Sequence, residues 1–176
     1  AIRNILRYAK AEWKETNPEW PAFKQQTPFG RLPVLVETFP SGATFTLSET
    51  MVIERYLAHK FELYSNDAFP QTIALIEQYR DQYTDVWTDI GTCVFGKDES
   101  KREPALQGTK HLVEKHEAAL KANGSNGHYV NDSITYIDIA AYSLINIFRD
   151  LGFGDAFTPE NAPELNKLIE NVKRAL

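Results

Sequence analysis

From Ile139 to Phe148 the chain carries no charged side chain, and this stretch most narrows what it can fold into. A helix apolar nearly all round has no side to give to water, so it belongs at the centre of a helical domain. Just before it stands Ser133-Ile-Thr-Tyr-Ile-Asp138. Thr135 can hold the N–H groups of the first turn, and Asp138, three residues on, can return the bond, which is the pattern of a capping box. Ile134 and Ile139 sit where a hydrophobic staple closes. Asp138 is therefore expected to serve folding before catalysis.

Amphipathic helices surround this centre in the sequence. Ile73, Ile76, Tyr83, Val86, Trp87, Ile90 and Val94 keep one face over six turns, and Leu112, Val113, His116, Ala119 and Leu120 do the same in a second helix. A last helix opens at Pro163 and buries Leu165, Leu168, Ile169 and Val172. Residues 70–176 thus read as an all-helical domain. Between Phe61 and Pro70 the periodicity stops, and residues 61–69 read as a linker.

Upstream the pattern is mixed. Ile2, Ile5, Leu6 and Ala9 form one helical stripe within Ala1 to Ala11, followed by Glu12 to Thr16 as a short edge strand and by an irregular segment with a helical turn from Asn17 to Phe29. Pro33 to Glu37 and Thr44 to Leu47 are β-branched, apolar-rich runs joined by Phe39-Pro-Ser-Gly42, which predicts a hairpin. A helix follows at once, capped by Ser48, with Met51, Val52, Ile53, Tyr56 and Leu57 as its buried face. Residues 1–60 are then an incomplete α/β layer, and the fold class is α/β followed by all-α.

Composition removes several functions. With 43% hydrophobic and 24% charged residues the chain has the balance of a folded protein, and no run approaches the roughly 20 apolar residues of a membrane span. The net charge of −5 is spread along the chain without a dense Lys/Arg cluster, so neither nucleic acid nor membrane is expected as a partner. A single cysteine, Cys93, permits no disulfide framework within one chain and fits a reducing, cytoplasmic setting. His59, His111, His116 and His128 lack metal-ligand spacing, so no metal is expected. The sequons at Asn123 and Asn131 read as chance matches.

Two places suit a ligand. Pro33 stands directly before a strand, a site that suits a cis peptide bond, which would turn the backbone N–H and C=O of Leu32 outward to pair with an extended peptide; an ordinary edge-strand proline is the other reading. Ser48-Glu49-Thr50 opens a helix, where backbone N–H groups and the Thr50 hydroxyl attract a carboxylate and Glu49 can take an ammonium. Alone, Glu49 and Thr50 are also good first-turn residues. A hairpin of this length brings Leu32 and Thr50 to the same end of the sheet.

These residues resemble a known family. Trp20-Pro-Ala-Phe-Lys24 and Thr27-Pro-Phe-Gly-Arg-Leu-Pro-Val-Leu35 are similar to the recurrent N-terminal pattern of cytosolic glutathione transferases, closest in look to the sigma-like branch. Glu49-Thr50 before Val52-Ile-Glu-Arg-Tyr-Leu57 resembles the family's Gln-Ser or Glu-Ser pair before its second helix, and the capping segment resembles its Ser-hydrophobic-Thr-x-x-Asp signature. The resemblance implies a thioredoxin-like glutathione-binding domain over 1–60. Trp20 and Lys24 would face the glycine end of glutathione, Leu32 with Pro33 would pair with the cysteinyl backbone, and Glu49 and Thr50 would hold the γ-glutamyl end. Arg31 stands where many relatives have Gln or Lys, and Thr50 where most have Ser. It further implies a homodimer in which an acidic residue of the first long helix, Asp85 or in reserve Asp81, reaches the partner's ligand.

By the same resemblance the family's first strand and its catalytic Tyr, Ser or Cys would precede Ala1, so no catalytic residue is expected in this sequence; the last helical segment would continue past Leu176. The implied activity is conjugation of the glutathione thiolate to hydrophobic electrophiles, as in detoxification, with Trp87, Ile90, Cys93 and Val94 as apolar candidates beside the second substrate. A glutathione-dependent isomerase of the prostaglandin-synthase kind and a non-catalytic structural or assembly module are the alternatives.

Overall fold

The computed structural model describes residues 1–64 and 69–176, and these divide into two compact units, Ile2–Phe61 and Glu62–Leu176. Of the expected linker, residues 65–68 lie outside the described residues.

The first unit begins with helix α1 (Ile2–Tyr8), whose Ile5 and Leu6 are buried. An irregular stretch with a 3-10 turn at Ala22–Gln26 leads to strands β1 (Val34–Thr38) and β2 (Thr44–Ser48), then to helix α2 (Thr50–Lys60). The strands are antiparallel and in register from Val34 opposite Ser48 to Thr38 opposite Thr44. Their turn closes with Phe39 N–H donating to Ala43 O and Gly42 N–H to Phe39 O, both at 2.8 Å, and Gly42 supplies the positive φ of 81° that an L side chain resists. Helix α2 packs on α1 and on β2.

Three expectations in this unit need correction. Glu12 to Thr16 forms no strand: a strand needs a neighbour to bond with, and none of the described residues pairs with this segment, which is exposed and tied to α1 by the Arg3–Glu15 ion pair. Ser48 is no helix cap; it ends β2 with its hydroxyl buried and without a partner among the described residues, and the cap position falls to Glu49. The buried face of α2 is Ile53, Glu54, Leu57 and Ala58, while Val52 is 44% exposed. Apolarity drew Val52 onto that face, but the i, i+4 rows through Ile53 and Glu54 are the ones turned inward. Tyr56 instead leans on the hairpin, with its ring 5.3 Å from Phe45 and its hydroxyl donating to Glu37 at 2.5 Å.

The second unit contains α3 (Pro70–Val94), α4 (Arg102–Ala122), α5 (Tyr136–Asp150) and α6 (Pro163–Ala175). α5 packs on both α3 and α6, and α4 packs on the same two. The charge-free segment lies in the interior, with Ile139, Ala140, Ala141, Ile145 and Phe148 fully buried. Leu63 and Tyr64, within the expected linker, are buried in this unit, and Tyr136 N–H donates to Leu63 O at 2.6 Å.

The capping box is formed. One Asp138 oxygen accepts from the Thr135 N–H (2.7 Å) and hydroxyl (2.8 Å), and the other accepts from Tyr129 N–H at 3.0 Å, which pins the preceding loop to the start of α5. Burial pushes the Asp138 carboxyl up to about 7, against the pull of those hydrogen bonds. α6 is capped by a residue remote in sequence: the buried Glu117 of α4 accepts from Leu165 N–H (2.8 Å) and Glu164 N–H (3.2 Å). A carboxylate on a helix reads as a solvent residue, so periodicity alone misses this one.

Candidate functional site

The register of the hairpin builds the candidate site. Because Val34 pairs with Ser48, the segments Leu32-Pro33 and Glu49-Thr50 leave the sheet at one end, side by side. The Leu32–Pro33 peptide bond is cis, as is Trp20–Pro21. Leu32 is half-exposed, and its backbone enters no turn or loop hydrogen bond among the described residues.

Opposite it, Glu49 has φ 72° and ψ 120°, a backbone region that a residue with a Cβ resists at a cost of about 1–3 kcal/mol. The Glu49 side chain does not cap the first turn of α2 that it opens. The N-terminus of an α-helix carries partial positive charge and N–H groups without helical acceptors, so this corner favours an anion, with the exposed Glu49 carboxylate and Thr50 at its edge. Ser48, whose buried hydroxyl lacks a partner, adjoins the same corner. Sequence reasoning placed a cap there and missed both the strain at Glu49 and the idle hydroxyl; a positive φ on glutamate has no sequence signal.

The segment from Trp20 to Arg31 is held by its own bonds. Thr27 donates its hydroxyl to Lys24 O at 2.8 Å, and a side chain at Gly30, where φ is 66°, would come within 3.3 Å of Lys24 Cε. Lys24 thus lies along Gly30, two residues before Leu32. Trp20 is 44% exposed, Arg31 is exposed and Pro33 half-buried. Of the expected binding residues, register brings Leu32, Pro33, Glu49 and Thr50 together, and Lys24 and Arg31 lie along the adjoining chain. Asp85 and Asp81 are exposed on α3, in the other unit.

The apolar candidates on α3 divide. Ile90 and Cys93 are buried, and the half-buried Trp87 stacks on Phe148 at 6.4 Å and meets Phe95 at 6.0 Å, so these residues serve packing. His116 is buried in a polar chain: Nε2 bonds Gln82 Oε1 (3.0 Å), Nδ1 bonds the Tyr129 hydroxyl (2.5 Å), and that hydroxyl bonds Tyr83 (2.9 Å). Burial brings the His116 imidazole down to about 4. Among the described residues no group of three or more His, Cys, Asp or Glu is placed to hold a metal ion.

Comparison with known proteins agrees with this architecture. Residues 1–59 match the family model of the glutathione S-transferase N-terminal domain, and residues 84–175 match that of the C-terminal domain. The chain is 32% identical over 148 residues to the probable glutathione S-transferase 6 of Caenorhabditis elegans, covering 78% of this chain and 68% of that one. It is similar in structure to a sigma class transferase of Fasciola hepatica (TM-score 0.81, 22% identity, 99% of this chain and 84% of that one), a likeness of fold. A transferase from the hookworm Necator americanus, described as monomeric, superposes with TM-score 0.77 at 26% identity over 98% of this chain and 84% of its own. Two domain models in the right order, the larger over half of the chain, with a relative above 30% identity, mean that this chain belongs to the glutathione S-transferase family.

Proposed function

We propose that the protein is a glutathione transferase that joins the thiolate of glutathione to hydrophobic electrophiles, a detoxifying activity in the cytoplasm. Residues 1–60 serve as its glutathione-binding domain, 61–69 as the linker and 70–176 as the helical domain. The observation that carries the reading is the corner where Leu32-Pro33 faces Glu49-Thr50: a strained, non-glycine residue that opens a helix without capping it. Strain of this kind persists where something other than stability selects it.

At that corner the γ-glutamyl carboxylate meets the first turn of α2 and the Thr50 hydroxyl, and Glu49 takes the ammonium. The Leu32 backbone pairs with the cysteinyl residue as an added strand would. Trp20 and Lys24 supply the glycine end with a ring edge and a positive charge, and Arg31 is a further donor to the ligand. In a homodimer, Asp85 of the partner subunit adds a second carboxylate near the ammonium. Stabilising thiolate over thiol and holding it against the electrophile supply the rate enhancement. The group that activates the sulfur is not among the residues assigned here.

Calorimetric titration with glutathione tests the reading. Saturable binding is expected, weakened about tenfold in Thr50→Ala, the cost of one lost hydrogen bond to a charged group, and retained in Thr50→Ser. A protein that takes up no glutathione, or a Thr50→Ala variant that binds as well as the parent, would overturn it. Sedimentation of the same sample tests the homodimer.

A further inference from the structure

The loop between α4 and α5 contains two Asn-Gly pairs, Asn123-Gly124 and Asn126-Gly127, that no part of the proposed activity uses. We propose that Asn126 is a modification site, at which the folded protein forms a succinimide with Gly127 and deamidates. In that reaction the Gly127 nitrogen gives up its proton and attacks the Asn126 side-chain carbon. The amide nitrogen leaves as ammonia, and water then opens the ring to aspartate or isoaspartate. Water is the only co-reactant.

Three features of the fold favour this reaction at Asn126. Among the described residues the Gly127 N–H donates to nothing, so the nucleophile is not consumed. The Asn126 backbone carbonyl accepts from Asn171 Nδ2 at 3.2 Å, which draws charge from the peptide link that must lose its proton. The Asn126 Oδ1, where negative charge gathers as the tetrahedral intermediate forms, accepts from His128 N–H at 3.0 Å. Donors aimed at a developing oxyanion lower the barrier to its formation. Gly127 resists exchange for a bulkier residue that would slow attack: its φ is 81°, which L side chains rarely adopt, and a Cβ there would crowd Asn171 Nδ2.

Asn123 has the same dipeptide and the opposite equipment. The Gly124 N–H is spent on Lys121 O at 3.0 Å, the Asn123 Oδ1 accepts from none of the described residues, and its nitrogen is held by the carbonyls of His128 (2.9 Å) and Asn131 (2.8 Å). The product at Asn126 has a structural consequence. Its Nδ2 now donates to Asn131 O at 2.6 Å, and a carboxylate oxygen there would face that carbonyl instead, loosening the loop that delivers Tyr129 N–H to Asp138.

The test is incubation of the folded protein at mildly alkaline pH and 37 °C, with peptide mapping by mass spectrometry over days. A synthetic peptide of residues 121–131 and the urea-unfolded protein run in parallel. Asn126 is expected to gain the mass of deamidation at least as fast in the folded protein as in the peptide, and about tenfold faster than Asn123. A product lighter by one ammonia should appear first, and Asn126→Gln should abolish both signals. Deamidation slower in the folded protein than in the peptide, or Asn123 reacting first, would overturn the proposal.

Discussion

The two units differ in what their polar groups hold in place. In the helical unit, buried Asp138, Glu117, His116 and Tyr129 each find partners, and these bonds fix helix starts and loops that packing alone leaves free. In the unit of the hairpin, Ser48 keeps an idle buried hydroxyl, Glu49 is strained, and Leu32 and Val36 stand half or more exposed beside a two-stranded sheet. Buried atoms without a partner among the described residues occur in both units, His128 Nδ1 and Glu164 Oε2 in the helical one and Ser48 Oγ in the other, but Ser48 adjoins the strained Glu49 at the start of α2, where a ligand can use it. If that contrast is right, substitutions in the first region cost stability, and substitutions at the corner of the second cost binding.

The sharpest way to break the contrast is Asp138→Ala, which leaves three donors in the interior without an acceptor. The expected loss is about 3 kcal/mol in urea unfolding, at least 1 per orphaned donor. A loss under about 1 kcal/mol would mean that water or a neighbour replaces the carboxylate and that the box is ornamental. Asp138→Asn sharpens the same point through pH. The folded state holds the Asp138 proton up to about pH 7, whereas an unfolded aspartate holds it only to about 4. The folded state therefore binds more protons across that interval, and this group's contribution falls as pH rises from about 4 to 7. His116 runs the other way: its folded value of about 4 lies below its ordinary 6.5, so its contribution is lost as pH falls from 6.5 toward 4. In the parent the two slopes oppose each other. In Asp138→Asn the falling slope is gone, the slope of His116 and that of His128, likewise lowered by burial, remain, and stability should climb with pH between 4 and 6.5.

The second prediction concerns a bond that joins distant parts of one unit. Glu117→Ala removes the acceptor of two N–H groups at the start of α6, and the expected cost is about 2 kcal/mol. Glu117→Gln keeps one oxygen and should lose less than half as much. Equal losses in both variants, read from the same unfolding curves, would show that the charge and not the cap is what matters.

The helical unit was the more legible in sequence, for a physical reason. Its helices are long, so the periods of Ile76 to Ile90 and Leu112 to Leu120 repeat enough times to be read, and the box at Thr135 and Asp138 is a local motif whose partners are three residues apart. Glu117 was illegible because its partners lie 47 and 48 residues away. In the other unit the hairpin was visible from composition, and with it the meeting of Leu32 and Thr50. Around Trp13 the sequence suggests a strand that the fold does not form: Trp13 and Thr16 favour extended structure but Glu12, Lys14 and Glu15 do not, and strands are made by neighbours. At Ser48 the local rule for caps was right about the position of the helix and wrong by one residue about which side chain opens it.

The smallest expected change in stability is also the one that separates the two regions most cleanly. Glu49 is exposed, so its substitution removes little packing, and glycine adopts a φ of 72° without the Cβ clash that glutamate suffers. Relief of strain is offset in part by the greater freedom of glycine in the unfolded chain, which leaves a net gain of about 1 kcal/mol for Glu49→Gly. The same variant lacks the carboxylate proposed to hold the ligand ammonium, so glutathione binding should weaken while the unfolding midpoint rises. Glu49→Ala separates the causes, since it loses the carboxylate and keeps the Cβ: binding should fall as far as in the glycine variant, with no gain in stability. A glycine variant that is less stable than the parent would mean that the backbone at Glu49 is at ease, and that the corner where α2 begins is ordinary structure.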